Sequence, residues 1–334
     1  MIYYIESRST DPYRNLALEQ FVFDNLDRKD SYFMLWQNHN SVIVGKHQNT
    51  LEEVDEAYIR DKNITVARRL SGGGAVYHDL GNINFTFISD ADNTKGLDFS
   101  IFCKPIQKAL LSMGVPAEIS GRNDMTVEGK KFSGSAQYIK QGRIMHHGTI
   151  LFDSDLGVLS KALKPGKDKI ESKGIKSVQS RVTNIRPYMK TDMGIANFWK
   201  ALKEEISASL GMEDLALDRE QDAAVEELRA AVYSQWSWNY GSSPPFTVRK
   251  TRRIEGCGKI DILLDIERGG KIRNIAFYGD FFGDSDPEEL AGMFIGCSLE
   301  PKEIRETLNK IEVSHYFHAL DNSTFLNILF EGIL

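Results

Sequence analysis

The sequence predicts an α+β protein of two domains, a larger one over residues 1–241 and a small accessory one over 242–334. Three observations carry this reading. Short apolar runs with period-two alternation, bounded by turn residues, recur along the chain and read as strands. Between them lie stretches of helical periodicity, several of which open on a capping Asp or a proline. The segment Gly241-Ser242-Ser243-Pro244-Pro245 breaks both periodicities, because Gly, Ser and Pro together disfavour helix and central strand, and so marks a linker. With 334 residues, 41% of them hydrophobic and 26% charged, the chain can bury one sizeable core and a second.

Residues 2–5 read as a first strand and 12–26 as an amphipathic helix. Thr10-Asp11 caps that helix, and Pro12 sits in its first turn, where a missing N–H costs nothing. Runs 32–37 and 41–45 are apolar strands, and His39-Asn40 between them signals a hairpin. A charged helix is expected over 51–61, a strand over 64–68 that feeds the loop 70–74, an alternating strand over 82–88 and a helix over 99–113. Three further strands follow at 125–127, 132–139 and 147–152. The stretch 166–182 is polar and aperiodic, a long loop of the kind that is functional or disordered within compact domains. Helices are expected at 197–210 and 219–236. Beyond the linker, 246–252, 259–268 and 271–278 alternate as strands, with Gly269-Gly270 as a tight hairpin turn. Helices 287–293 and 301–311 each open on a proline.

Composition excludes several classes. A formal net charge of −6 argues against a bulk basic surface for nucleic acid. Cys103, Cys257 and Cys297 form no C-x-x-C unit, and an odd count makes a poor disulfide framework, which fits a reducing compartment. Glu6 and Arg8 fall where a secretory apolar core would run, and the apolar runs are too short to cross a bilayer. The reading is a cytoplasmic protein with neither membrane nor nucleic-acid partner. Seven histidines without an H-E-x-x-H or Cys/His cluster give no support to zinc.

The most distinctive local feature is Arg68-Arg69-Leu70-Ser71-Gly72-Gly73-Gly74-Ala75-Val76-Tyr77-His78-Asp79. Three glycines after a strand let the backbone approach a ligand and turn N–H groups toward a phosphate or carboxylate. Arg69 would add a bidentate charge. A tight strand-to-strand turn explains a bare triple glycine equally well, and neither standard nucleotide fingerprint is present. In Gly129-Lys130-Lys131-Phe132-Ser133-Gly134-Ser135-Ala136, a lysine among small residues could neutralise charge developing on an activated carboxylate and an α-phosphate. The plainer alternative is a solvated lysine pair, and the doublet leaves open which one points inward. His146 and His147, adjacent on a strand, face opposite sides and cannot both serve one site. Asn123-Asp124 is compatible with a magnesium ion or a ribose, although Asx residues before a strand are commonly turn-formers. Cys103 lies in an apolar helical run, the setting of an inert thiol, and no strained G-x-S-x-G elbow is found. The basic stretch 161–186 reads as a solvated loop or as a cover over a nucleotide. Trp236-Ser237-Trp238-Asn239-Tyr240 reads as a plug between domains.

In their shared order these motifs resemble the lipoate–protein ligases over nearly the whole chain. The resemblance rests on Asn15-Leu16-Ala17-Leu18-Glu19, 42–49, 68–82, 121–127, 130–136 and 146–151. It continues through Gly174-Ile175-Lys176-Ser177-Val178-Gln179-Ser180-Arg181-Val182, 236–241 and Gly279-Asp280-Phe281-Phe282. It implies a mixed sheet core flanked by helices, like the class II biotin/lipoate ligases, with a small C-terminal α+β accessory domain. It also implies a reaction in which lipoate and MgATP give lipoyl-adenylate and pyrophosphate. The acyl group then passes to a lysine of an apo-lipoyl domain of a 2-oxoacid dehydrogenase or of the glycine-cleavage H protein. By resemblance Lys131 is catalytic and contacts both nucleotide and lipoyl groups. Arg69, Gly74, Ala75, Val76 and Tyr77 join it in holding ATP or the adenylate, and Ser71, Gly72, Gly73, Gly74 and His78 in holding lipoate. Asp124 is the candidate for Mg2+, and 166–182 resembles the adenylate-covering loop. Ser41 and Lys46 depart from the arginine and proline of many relatives.

The nearest rival is a transferase that moves octanoyl or lipoyl groups from a carrier thioester without ATP, in some relatives through a cysteine. The setting of Cys103, the long basic loop and the tail domain favour the ligase. Biotin–protein ligase is excluded by the missing arginine-glycine loop. A binding protein without turnover would be expected to lack Lys131 or the glycines.

Overall fold

The computed structural model describes residues 1–90, 98–121, 123–163, 182–240, 248–267 and 270–330. They fall into two compact units. The first takes Met1–Val44, Thr50–Leu70 and Ala75–Tyr240, and the second takes Gly45–Asn49, Ser71–Gly74 and the described residues after Tyr240. The linker expected at 241–245 lies outside the described residues.

The first unit is built on an eight-stranded mixed sheet. Its strands are β1 (Ile2–Glu6), β2 (Ser31–Trp36), β6 (Asn82–Asp90), β7 (Glu118–Ser120), β8 (Asp124–Val127), β9 (Lys130–Lys140), β10 (Arg143–Leu151) and β11 (Glu213–Asp214), in the order β11-β1-β2-β6-β10-β9-β8-β7. β1 pairs in parallel with β2 and β11, and the pairings from β2 to β7 are antiparallel. A small second sheet has β3 (Ser41–Val44) between β4 (Thr65–Arg68), parallel to it, and β5 (Val76–His78), antiparallel to it.

The hairpin expected at His39-Asn40 does not form, because β2 and β3 belong to different sheets. Both strands are buried, so each finds its own neighbours. Asn40 turns the chain with a left-handed φ of 36°, and the connecting segment is held by Asn15, whose Nδ2 donates to Gln37 O at 2.7 Å and to Asn38 Oδ1 at 2.8 Å. The charged helix expected over 51–61 is broken in two, α2 (Thr50–Glu53) and α3 (Glu56–Asp61). Asp55 interrupts it by capping the second, accepting from Tyr58 N at 2.9 Å.

Alternation along the strands gives the large sheet two different faces. Phe33, Leu35, Ile83, Phe85, Phe87, Ile144 and Ile150 pack against α4 (Ser100–Ser112) and, further along the chain, the helix Ile195–Leu210, through Ile106, Leu110, Phe198, Leu202 and Ile206. The opposite face packs Met34, Trp36, Ile88 and Met145 against α1 (Pro12–Asn25), through Ala17, Leu18, Phe21 and Val22. As expected, α1 opens on Asp11, whose side chain accepts from Tyr13 N at 2.9 Å, with Pro12 next. A short helix, α5 (Leu156–Ala162), follows β10, and Ile195–Leu210 is α6. Then come α7 (Arg219–Leu228), continued by a π turn at Arg229–Tyr233, and α8 (Trp236–Tyr240).

In the second unit β12 (Val248–Ile254), β13 (Gly258–Ile266) and β14 (Ile272–Gly279) form an antiparallel sheet. With α9 (Pro287–Phe294), α10 (Pro301–Leu308) and α11 (Asn322–Phe330) it encloses a core of Ile260, Ile262, Leu264, Ile275, Phe277, Phe281, Phe317 and Phe325. Of the expected Gly269-Gly270 turn only Gly270 lies among the described residues, with φ 80°.

One buried cation ties α1 to β10. Arg143 is 2% exposed and donates from Nη1 to Phe23 O at 2.6 Å and to Leu26 O at 2.9 Å. The last turn of α1 carries no basic residue of its own, so Arg143 supplies the cation favoured at a helix C-terminus. Arg143→Ala removes both bonds and leaves two carbonyls without this donor. We expect a loss of about 3 kcal/mol of stability by chemical denaturation; a loss below about 1 kcal/mol would show the pairing to be incidental.

Candidate active site

The site is built on the α1-facing side of the large sheet. On central β6, Ile83, Phe85 and Phe87 point to the α4 side, whereas Asn82, Asn84 and Thr86 alternate with them and are buried against the other layer. Buried polar groups need partners; Asn82 Nδ2 donates to Asn84 Oδ1 at 2.8 Å, and Thr86 lies in a chain. Trp36 Nε1 donates to Thr86 Oγ1 at 2.9 Å, Thr86 Oγ1 donates to Glu19 Oε1 at 2.5 Å, and His147 Nδ1 meets the same carboxylate oxygen at 2.9 Å. Register carries this face outward. Thr86 pairs with His147, His147 with Ala136, and Gly134, two residues along β9 from Ala136, pairs with Asp124.

Lys131 brings its ammonium to this face. Its Nζ lies 2.6 Å from Asp124 Oδ1, and the stem runs so close to Gly134 that a Cβ there would fall 2.9 Å from Nζ and 3.0 Å from Cε. Gly134 therefore makes room for the lysine, which answers the question left by the doublet: Lys130 is exposed, and Lys131 carries the ion pair. The Lys131 carbonyl accepts from Thr183 N at 2.9 Å, and Lys131 bridges in parallel to Val182. Val182 is the last residue of the long loop expected at 166–182, the rest of which lies outside the described residues.

Arg69 follows β4 and is 6% exposed, with its N donating to Val44 O at 3.0 Å and Nη1 to Ile43 O at 3.2 Å. Burial pulls its pKa down to about 10, against the opposing attraction of Glu19. His78, at the end of β5, is also buried, and its Nδ1 lies 3.1 Å from Asn38 Nδ2, which makes Nδ1 the acceptor. Its Nε2 is buried without a hydrogen-bond partner among the described residues. Burial, with Arg69 and His147 nearby, holds the imidazole pKa at about 3, so His78 is neutral. Arg69, His78, His147 and Glu19 thus form one electrostatic cluster. Val76 and Tyr77 pair with Ile43 and Val42, and Tyr77 donates to Asn40 Oδ1 at 3.1 Å; Ala75 is half-buried.

The glycine loop proper belongs to the second unit. Ser71 is buried, and its carbonyl accepts from Lys46 N at 2.9 Å. A Cβ on Gly72 would fall well inside van der Waals contact with Phe281 O. Gly73 adopts φ 89°, a glycine conformation, and its N donates to Phe281 O at 3.3 Å. Gly74 has open space where a side chain would be. The need for glycine at 72 therefore arises from the chain's own carbonyl, a different reason from the close ligand approach suggested by sequence. His47 stacks on Phe281 with ring centroids 4.8 Å apart, and Lys46 Nζ pairs with Asp286 at 2.8 Å.

Other candidates fall elsewhere. His146 is on the α4 side, with its Nδ1 3.1 Å from Gln137 Nε2 and its Nε2 3.8 Å from Cys103 Sγ. Burial pushes the Cys103 thiol up to about 11, which leaves it inert as a nucleophile. Among the described residues no group of three or more His, Cys, Asp or Glu could hold a metal ion. Sequence reading gave no role to Glu19, Trp36 or Thr86. The usable signal was the Asn-Ile-Asn-Phe-Thr-Phe alternation of β6, a polar face on a strand buried on both sides.

The model of the lipoyl protein ligase A/B catalytic domain matches residues 11–207, and that of the bacterial lipoate protein ligase C-terminus matches 243–329. The chain is 39% identical to lipoate-protein ligase LplJ of Bacillus subtilis over 99% of this chain and 100% of that one. It is 41% identical to lipoate–protein ligase 1 of Staphylococcus aureus, covering 96% and 97%. Among solved structures it is similar to P. falciparum LipL1 in complex with lipoate, with a TM-score of 0.80, 25% identity and coverage of 100% and 99%. It is also similar to the bipartite lipoate protein ligase of Thermoplasma acidophilum studied with its E2 lipoyl domain, with a TM-score of 0.65, 28% identity and coverage of 74% and 98%. A third likeness is to lipoate-protein ligase A bound with ATP, with a TM-score of 0.60, 26% identity and coverage of 72% and 98%. The fold is that of the biotin/lipoate ligase class, and the molecule is a ligase-type enzyme. The chain belongs to the lipoate–protein ligase family.

The neutral histidines make stability depend on pH. The folded-state pKa of His78 is about 3 and that of His146 is well below its usual value, both chiefly through burial. In mildly acidic solution the unfolded chain binds protons that the folded chain does not, so stability rises with pH up to about 6.5. His78 should contribute a slope of about 1.4 kcal/mol per pH unit between about pH 4 and 6, and His146 adds to it in the same direction. His78→Gln should lower that slope by one such increment in denaturation measured across this range; an unchanged slope would mean that His78 is protonated in the folded protein.

Proposed function

We propose that the chain activates lipoate with ATP and joins it to a lysine of an acceptor protein through lipoyl-adenylate. The observation that carries this reading is the placement of Lys131, part-exposed, over Gly134 and beside Asp124, on the polar face that also bears His147. Relatives solved with lipoate and with ATP support it.

In the first step a lipoate carboxylate oxygen attacks the α-phosphorus, and the bond to the β-phosphate oxygen breaks to release pyrophosphate. In the second the acceptor's ε-amine attacks the acyl carbonyl, and AMP leaves with the electron pair of the C–O bond. Neither step needs a protein nucleophile. Both gather negative charge on oxygen atoms, which fixed cations stabilise. Lys131 is assigned to the carboxyl and α-phosphate oxygens, exchanging Asp124 for them. Arg69, with Gly74, Ala75, Val76 and Tyr77, is assigned to the adenylate, and Ser71, Gly72, Gly73, Gly74 and His78 to the acid. The buried, neutral Nε2 of His78 supports that last assignment.

Asp124, whose Oδ1 lies 2.6 Å from Lys131 Nζ, is the carboxylate proposed for a magnesium ion once Lys131 has turned to the substrate oxygens. No step is assigned to the metal, which ATP would bring on its own phosphate oxygens. The acceptors proposed are apo-lipoyl domains of 2-oxoacid dehydrogenases and the glycine-cleavage H protein, by analogy with the Thermoplasma ligase and its lipoyl domain. Among the described residues no helix is long and apolar enough to cross a membrane, and a cytoplasmic location is part of the proposal. Transfer from a carrier thioester through a cysteine is disfavoured by the buried, inert Cys103.

The test is pyrophosphate release from MgATP with lipoate, followed by the intact mass of an apo-lipoyl domain. Lipoate-dependent pyrophosphate and an added lipoyl mass are expected, and Lys131→Ala should slow adenylation by about 10²–10³ with the fold retained. Full adenylation by that variant would overturn the role of Lys131; acyl transfer from a carrier thioester with no pyrophosphate would overturn the ligase reading.

A further inference from the structure

The aromatic segment before the linker has a use that the reaction does not explain. Asn239 is 2% exposed, and its side chain closes the open edge of β4. Its Oδ1 accepts from Arg68 N at 2.9 Å, and its Nδ2 donates to Tyr233 O at 2.7 Å and Gln235 O at 3.0 Å. Trp238 completes the pairing from the same side, with Nε1 donating to Arg68 O at 3.0 Å. Both backbone groups of Arg68 are thus bonded by side chains from 170 residues away. In return the Arg68 guanidinium donates to Trp238 O at 2.8 Å, Asn239 O at 3.1 Å and Thr50 Oγ1 at 2.7 Å, and Thr50 Oγ1 donates to Asn239 O at 2.6 Å.

The position of this clamp in the chain gives it its meaning. Arg68 is the last residue of β4, immediately before Arg69 and the glycine loop. Thr50 is the first residue after the loop Gly45–Asn49, whose Lys46 N bonds to Ser71 O. One stem of each loop therefore ends on Asn239. An edge strand of four residues, left with water on its free side, would fray and let Arg69 wander.

We propose that Asn239 is a positioning residue for the ligase reaction. With Trp238 it fixes the end of β4 and the start of α2, and so sets where Arg69 presents its guanidinium. This rests on the reading of Arg69 as part of the adenylate site. Asn239 itself touches neither substrate nor reacting atom.

Two measurements on the full chain test it. Hydrogen–deuterium exchange of Asn239→Ala should quicken several-fold in peptides covering 69–77, with those from β9 and β10 unchanged. In lipoate-dependent pyrophosphate release the same variant should raise the KM for ATP about tenfold. Because Asn239 acts through Arg69, its loss should change KM by less than about twofold in an Arg69→Ala background. Trp238→Phe, which deletes only the indole N–H, should move exchange and KM the same way by less, and it serves if Asn239→Ala does not fold. Unchanged exchange at 69–77, exchange raised evenly over the sheet, or KM effects that multiply in the double variant would each overturn the assignment. If the unmodified chain releases no lipoate-dependent pyrophosphate, the ligase reading falls, and the exchange result alone decides whether Asn239 positions the loop.

Discussion

Two adjacent guanidinium groups buried at the end of one edge strand constrain everything around them. Arg68 and Arg69 are 7% and 6% exposed, and an uncompensated buried cation costs several kcal/mol. Successive residues on a strand point to opposite faces, so one neighbourhood cannot satisfy both. Arg68 is met by carbonyls of α8 and by Thr50. Arg69 is met by Ile43 O and by the field of Glu19 on α1. The strand β4 can hold this pair only if α1 and α8, at opposite ends of the first unit's sequence, both come to it. Arg143 in turn fixes the far end of α1 to β10, which carries His147 to Glu19.

The polar face of the large sheet follows from the same requirement. A carboxylate at Glu19 that offsets a buried arginine needs donors of its own, and Thr86 and His147 provide them. The outcome is a strip of fixed hydrogen bonds and charges, with Lys131 further along the same face, set beside the apolar contacts that the sheet makes with α1. Such a surface can stabilise charge that develops on phosphate and carboxyl oxygens without reorganising. It offers no activated nucleophile, which agrees with a chemistry in which both attacking groups arrive with the substrates. The inert thiol of Cys103, on the α4 side of the sheet, makes the same point from the opposite direction.

The glycine loop shows how one motif can answer two demands. Gly72 is required because Phe281 O occupies the place of a side chain, and Gly73 because of its left-handed backbone. Gly74 is open. The loop is thereby tied to Gly279-Asp280-Phe281-Phe282, and the neighbouring loop to the same segment through the His47 stack and to the start of α9 through the Lys46–Asp286 pair. The departure at Lys46 thus has a partner in this chain.

The amino-acid sequence by itself determined the elements whose signals are local. Asp11-Pro12 starts α1 because a cap and a fixed φ act within one turn, and the β6 alternation marks a buried strand because side chains alternate whatever the strand pairs with. The shared order of the motifs also brought the family and Lys131 within reach. Tertiary structure alone decided the rest. His39-Asn40 has the composition of a hairpin, yet β3 pairs with strands β4 and β5, which come later in the chain. Strands as short as β7 and β11 carry too few residues to show a period. The bonds of Trp238 and Asn239 to Arg68 were not foreseen, because hydrogen bonds spanning 170 residues leave no trace in local composition. That Lys131 rather than Lys130 turns to the polar face is settled by the room at Gly134 and the carboxylate of Asp124, neither of which can be read from the lysines themselves.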